Sequence, residues 1–260
     1  MSRIQQAFCN GKAFIPFITC GDPNLDTTKQ LVYTLVENGA DLIELGIPFS
    51  DPTAEGPTIQ EANLRALSGG VTTDKIFDLV MELRQTVEIP LVFMTYANVV
   101  YSFGTTRFVK RMEEVGMDGL ILPDVPFEEK DEFASICEEH GIDFISLIAP
   151  TSENRIVKIA QNARGFIYCV SSLGVTGTRS QFSTNIDQMI SNIKSVNPTI
   201  PCAIGFGISN PEQVKKMSEL SDGVIVGSAI VKKIAKYKEN CIPYIGEFVK
   251  EMKNAQFNQL

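Results

Sequence analysis

Eight short runs rich in Ile, Val and Phe return about every 30 residues between Ala13 and Gly223. They are AFIPFIT from Ala13, LIELGI from Leu42, PLVFMTY from Pro90, GLILPD from Gly119, DFISLIAP from Asp143, GFIYCVS from Gly165, PCAIGFG from Pro201 and GVIVGSA from Gly223. Nearly every position in them is apolar. Strands covered by helices on their outer face need this, whereas a half-solvated strand would alternate. A helical pattern follows each run, and the repeat is the length of one strand–helix unit. Helices are predicted over 26–38, over 58–68 and over 73–85, then from near 105, 128, 152, 185 and 210, with a last one over 231–253. No Ser/Gly-rich linker, charge block or low-complexity tract divides the chain, so 1–260 reads as one domain. The expectation is an α/β fold, a single (β/α)8 or TIM barrel, with an open doubly wound sheet as the alternative. Ile4 and Phe8 predict a short extra helix that plugs the barrel bottom, and the second unit carries an extra helix after its strand.

Charge then excludes some partners. The 31 acidic against 23 basic side chains give a net charge of −8, which is no footprint for nucleic acid. No apolar stretch approaches the roughly 18 residues of a membrane span, and no signal peptide is read at the N-terminus, so a cytoplasmic protein is expected. The six cysteines are scattered without a C-x-x-C and read as reduced thiols. His140, the only histidine, falls at a predicted helix end, where a cation is favoured anyway. No metal site is expected. No P-loop or G-x-G-x-x-G opens a helix, which leaves a nucleotide cofactor without support.

Barrels of this kind carry their active sites at the C-terminal ends of the strands. Thr19, Gly21 and Asp22 emerge there, as do Asp51 and Glu55 on a long loop, then Tyr96, Asn98, Asp124 and Tyr168. Glu44 is the most informative of all, an acid inside the otherwise apolar run L-I-E-L-G-I. Burying it charged and alone costs several kcal/mol, so it is either protonated or served by a partner. A hydrogen-bonded structural carboxylate is the alternative role. Glu55 and Asp51 supply a second carboxyl group nearby, although solvation alone would account for loop acids. Two carboxyls in unlike environments suit acid–base chemistry at neutral pH. G-V-T-G (174–177), G-F-G-I (205–208) and V-G-S-A-I (226–230) add glycines after the last three strands, where backbone N–H groups can meet a phosphate. With no Lys or Arg within these three segments, main-chain amides and Ser228 would do most of that binding.

Taken in order, P-F-I-T-C-G-D-P, E-L-G-I-P-F-S-D-P-T-A-E-G-P-T-I-Q, M-T-Y-A-N, L-P-D-V-P, G-V-T-G, G-F-G-I and V-G-S-A-I resemble the tryptophan synthase alpha subunit from about Phe14 to Ile230. The resemblance implies a lyase that splits indole-3-glycerol phosphate into indole and glyceraldehyde 3-phosphate by retro-aldol cleavage. It gives Glu44 the role of acid and then base, and Glu55 that of second carboxylate, at the indole N–H. Phe17, Asp22, Thr95, Tyr96, Tyr168, Thr176 and Phe206 would surround the substrate. Gly177, Gly207, Gly227 and Ser228 would hold the phosphate, and Asp124 would support the site and the partner surface. The implied partner is a beta subunit in an alpha2-beta2 heterotetramer, with Pro48, Asp51 and Pro52 at the interface. Pyridoxal phosphate is expected only on that partner, and no cofactor in this chain. One departure stands out, since the family's loop commonly reads A-D-G-P where this one reads A-E-G-P. Glu55 reaches further by one methylene, about 1.5 Å. Another phosphate-sugar barrel enzyme, a stand-alone lyase and a non-catalytic regulatory subunit are the competing readings.

Overall fold

The computed structural model describes residues 2–149, 153–170, 179–205 and 207–257. Its first half runs α1 (Arg3–Gln6), β1 (Ala13–Thr19), α2 (Leu25–Glu37), β2 (Ile43–Gly46), α3 (Pro57–Ser68), α4 (Thr73–Leu83), β3 (Leu91–Met94), α5 (Ala97–Phe103), α6 (Thr105–Val115) and β4 (Gly119–Ile121). There follow α7 (Asp131–Glu139), β5 (Asp143–Phe144), β6 (Ser146–Ile148), α8 (Glu153–Gln161), β7 (Ile167–Val170) and α9 (Arg179–Val196). The last part comprises β8 (Cys202–Gly205), α10 (Pro211–Leu220), β9 (Gly223–Val226), α11 (Ser228–Tyr237) and α12 (Ile242–Ala255).

All the strand pairs are parallel, in the order β5-β4-β3-β2-β1-β9-β8-β7-β6. The two edge strands, β5 and β6, are successive pieces of one segment with only Ile145 between them. The ring therefore closes through the chain itself, and nine strands make eight staves of a (β/α)8 barrel. The expected fifth strand is thus split. Ile145 keeps contact with the fourth stave, its N–H donating to the Leu120 carbonyl at 2.9 Å.

Helix starts follow local chemistry. The side chains of Asn24, Thr72 and Asn210 accept hydrogen bonds from the backbones of Thr27, Lys75 and Gln213, satisfying amides that the first helical turn leaves orphaned. At the barrel bottom Ile4 of α1 is fully buried, and a Cβ on Gly119 would lie 2.9 Å from its Cδ1. The predicted plug is present. The extra helix after β2 is present too, as α3 beside α4.

Three details differ from the sequence expectation. α5 was not foreseen, because its few polar positions leave no periodic stripe to read. α9 begins at Arg179, not near residue 185. The single helix expected over 231–253 is two, α11 and α12, broken at Lys238 with φ of 50° and restarted with Pro243 in the first turn. Proline lacks the N–H that an unbroken helix would need there.

Candidate active site

β2 is short, and its register beside β1 pairs Glu44 with Phe17 across the two strands. Both side chains face a pocket of about 250 Å³ at the C-terminal end of the barrel. Glu44 forms part of its floor yet exposes no surface, and among the described residues neither carboxyl oxygen has a hydrogen-bond partner. Burial pushes its pKa from the ordinary 4.5 up to about 8, so at neutral pH it carries a proton. Its neighbours in the strand are apolar, and among the described residues no cationic side chain lines this pocket.

Tyr168 of β7 lines the same pocket and is buried. Its phenol is raised well above the ordinary value, first by burial and then by the charge of Glu44. The ring has room only because residue 205 is glycine: a Cβ there would lie 2.3 Å from the Tyr168 hydroxyl. Gly46 does the same for Phe17, whose Cζ lies 2.6 Å from where a Cβ would stand. Each aromatic wall rests on a glycine in the adjacent stave.

The second carboxyl arrives on the loop between β2 and α3. Ala54 N–H donates to the Tyr96 hydroxyl at 3.1 Å, and Gln60 Nε2 donates to the Glu55 carbonyl at 2.8 Å. Asn63 Nδ2 donates to Glu55 Oε2 at 2.9 Å. Burial raises the Glu55 pKa to about 6, and the Asn63 hydrogen bond opposes that rise. The pocket therefore holds one carboxyl protonated at pH 7 beside another that is ionised there, the pairing that acid–base chemistry requires.

At the opposite wall Gly227 is the N-cap of α11, and Ser228 is its first residue. Both line the pocket with Gly207, whose φ is 79°. The free amides of a helix start favour an anion there, and among the described residues no Lys or Arg lines the pocket. A second cavity of about 360 Å³ adjoins the first, sharing Ala54, Met94 and Tyr168, and its other walls include Leu122, Phe144, Leu147 and Val170.

Seven of the residues singled out in the sequence thus surround one pocket: Phe17, Glu44, Glu55, Tyr168, Gly207, Gly227 and Ser228. Thr176, Gly177 and Phe206 lie outside the described residues. Asp22, Thr95 and Tyr96 are not among the pocket-lining residues, because each is engaged elsewhere. Asp22 takes two hydrogen bonds from Arg65, both 2.8 Å. Thr95 Oγ1 donates to the Ile47 carbonyl at 3.3 Å, while Tyr96 holds the loop and packs on Phe49 with ring centroids 5.3 Å apart. Of the expected interface residues, Asp51 is exposed and Pro52 half-buried, but Pro48 is buried. Asp124 is exposed and accepts from Ala97 N–H at the start of α5. His140 ends α7 and contacts Glu113 at 2.6 Å, which accounts for it structurally.

Sequence reasoning missed Met94, Ile59 and Ile225, apolar pocket walls that look like any core residue, and it missed Asn63. Asn63 did carry a signal, being a polar side chain two turns beyond Glu55 among buried positions of a helix. Among the described residues no group of three or more His, Cys, Asp or Glu side chains could hold a metal ion, and no helix is long and apolar enough to cross a membrane.

The family model for the tryptophan synthase alpha chain matches residues 4–257. A tryptophan synthase alpha chain of Lacticaseibacillus casei is 47% identical over 255 residues, covering 98% of this chain and 96% of the relative. That of Lactiplantibacillus plantarum is 49% identical, covering 92% and 90%. Among solved structures, tryptophan synthase subunit alpha from Legionella pneumophila str. Paris superposes with a TM-score of 0.90 at 35% identity over 99% of each chain. A chain from the tryptophan synthase a2b2 complex of the hyperthermophile Pyrococcus furiosus does so with a TM-score of 0.86 at 36% identity, over 94% of this chain and 99% of its own.

Proposed function

The chain belongs to the tryptophan synthase alpha chain family, lyase subunits that cleave indole-3-glycerol phosphate in tryptophan biosynthesis, and we propose a division of that work among its pocket residues. The observation that carries the proposal is Glu44, a buried carboxylic acid without a hydrogen-bond partner among the described residues, facing a pocket that also holds a second, ionised carboxylate.

Glu44 enters the reaction protonated and gives its proton to indole C3. The ring becomes an iminium whose positive charge rests on the ring nitrogen. Glu55, ionised, accepts the indole N–H and stabilises that charge as it develops. The Glu44 carboxylate then takes the proton from the glycerol hydroxyl next to C3. As the aldehyde forms, the carbon–carbon bond breaks and its electron pair returns to the ring. Indole leaves, and Glu44 has regained its proton, so no net acid or base is consumed.

Gly207, Gly227 and Ser228 bind the phosphate through helix-start amides and the serine hydroxyl, and Gly177 belongs with them. Phe17 and Tyr168 flank the reacting carbons, and the family resemblance assigns Thr176 and Phe206 to the substrate as well. The indole ring lies toward Met94 and the apolar adjoining cavity. Asp22, Thr95 and Tyr96 act behind this layer as supports. The chain works as one domain in a cytoplasmic alpha2-beta2 complex and meets a beta subunit through the surface that bears Asp51 and Pro52. This chain carries no cofactor of its own, and pyridoxal phosphate resides on the beta subunit.

The test is indole release from indole-3-glycerol phosphate by the purified chain, alone and with a tryptophan synthase beta subunit. Slow release alone that rises strongly with the partner is expected. No indole under either condition would overturn the assignment.

A further inference from the structure

Glu55 stands on a loop, and loops alone do not hold a carboxylate to the tolerance that catalysis needs, since a 1 Å error can cost about 100-fold. Two side chains of α3 restrain it. Gln60 holds its backbone carbonyl, and Asn63 holds one of its carboxylate oxygens at 2.9 Å. Asn63 is only 4% exposed, and its one hydrogen-bonding service among the described residues is to Glu55. A buried amide in a helix face that could have been Leu costs desolvation, which this bond offsets.

We propose that Asn63 is the positioning residue for Glu55, holding the carboxylate ionised and aimed so that its other oxygen meets the indole N–H. The inference rests on the role given to Glu55 above. Its chemical logic is that a neutral donor supports an anion without placing a positive charge in the site. A lysine or arginine in the same place would ion-pair with Glu55 and oppose the charge that forms on the indole ring. Among the described residues, the titratable groups near Glu55 are Tyr96, which holds the loop, and Glu44 and Tyr168, which line the same pocket, and none of them is a cation. Burial draws Glu55 toward its neutral form, and Asn63 is the group that opposes this.

The discriminating variant is Asn63→Leu, which keeps the branched shape of the side chain at a buried helix position and removes the donor. Its acid limb in the pH profile of kcat/KM should move up by about one pH unit, with little change in KM. The activity of the variant relative to the parent should therefore be about fivefold lower at pH 6 than at pH 8, on top of the pH-independent loss that misaiming causes. An unmoved acid limb, with or without a uniform loss at all pH values, would overturn the proposal. In a Glu55→Gln background the same substitution should cost nothing further, because it acts through Glu55. A further measurement requires no variant: in the unaltered chain, the Asn63 side-chain amide resonances should titrate with a midpoint near the Glu55 value of about 6. Amide resonances indifferent to pH would refute the contact even if indole release is normal, whereas absent indole release would refute the lyase reading instead.

Discussion

Asp22 and Glu44 are neighbours in architecture and opposites in environment. One follows β1 and the other lies within β2, and their exposures are 1% and 0%. Arg65 reaches across from α3 and gives Asp22 two hydrogen bonds, completing an ion pair. No described side chain reaches Glu44, so it keeps its proton. The resemblance places both at the substrate, yet only the orphaned acid lines the pocket. A buried carboxylate that has its counter-ion is committed to structure. One without it holds a proton it can give away.

The largest effect should come from Glu44→Gln, which keeps the shape and removes the proton cycle. Lyase activity should fall at least about 1000-fold, or roughly 4 kcal/mol of barrier. Near-normal turnover would erase the contrast with Asp22. Stability supplies an independent reading of the same variant. Glu44 has a folded-state pKa above its unfolded value, so its favourable contribution is fully present below about 4.5 and is lost as pH rises toward about 8. Relative to Glu44→Gln, the parent should lose up to about 1.4 kcal/mol per pH unit across that window in chemical denaturation. A flat difference would mean that Glu44 is not buried neutral.

Arg65→Leu attacks the other member of the pair. It strands Asp22 without its cation and should lower unfolding free energy by about 3 kcal/mol, while activity per folded molecule stays near the parent's. A large loss of kcat at full folding would move Asp22 back into the substrate site. The smallest effect is expected for Tyr96→Phe. It removes the hydroxyl that accepts from Ala54 N–H and slackens the loop carrying Glu55, reducing kcat by about threefold to tenfold, roughly one hydrogen bond's worth. An unchanged kcat would show that the contacts from α3 alone suffice to hold the loop.

Much of this was legible before any coordinates. Eight apolar runs with helices between them admit few folds other than a barrel, because such strands must be covered on both faces. The helices predicted over 73–85 and from near 210 do start there, where Thr72 and Asn210 satisfy the first free amides locally. Glu44 announced itself as an acid that its own strand could not solvate. Gly227-Ser228 announced a helix start with free amides, because a glycine followed by a helix leaves its first N–H groups open to a partner. All of these are properties of a few consecutive residues.

What the tertiary structure decided concerns pairs of residues far apart in the chain. That Arg65 neutralises Asp22, that Tyr168 occupies the space left by Gly205, that Asn63 holds Glu55, and that Ile145 is where the ring of strands closes are relations across turns and staves. Periodicity says which face a side chain joins but not which partner waits there. A buried charge depends on that partner for its protonation state, so the sequence could nominate the acids while only the packed barrel distinguished the paired one from the one free to react.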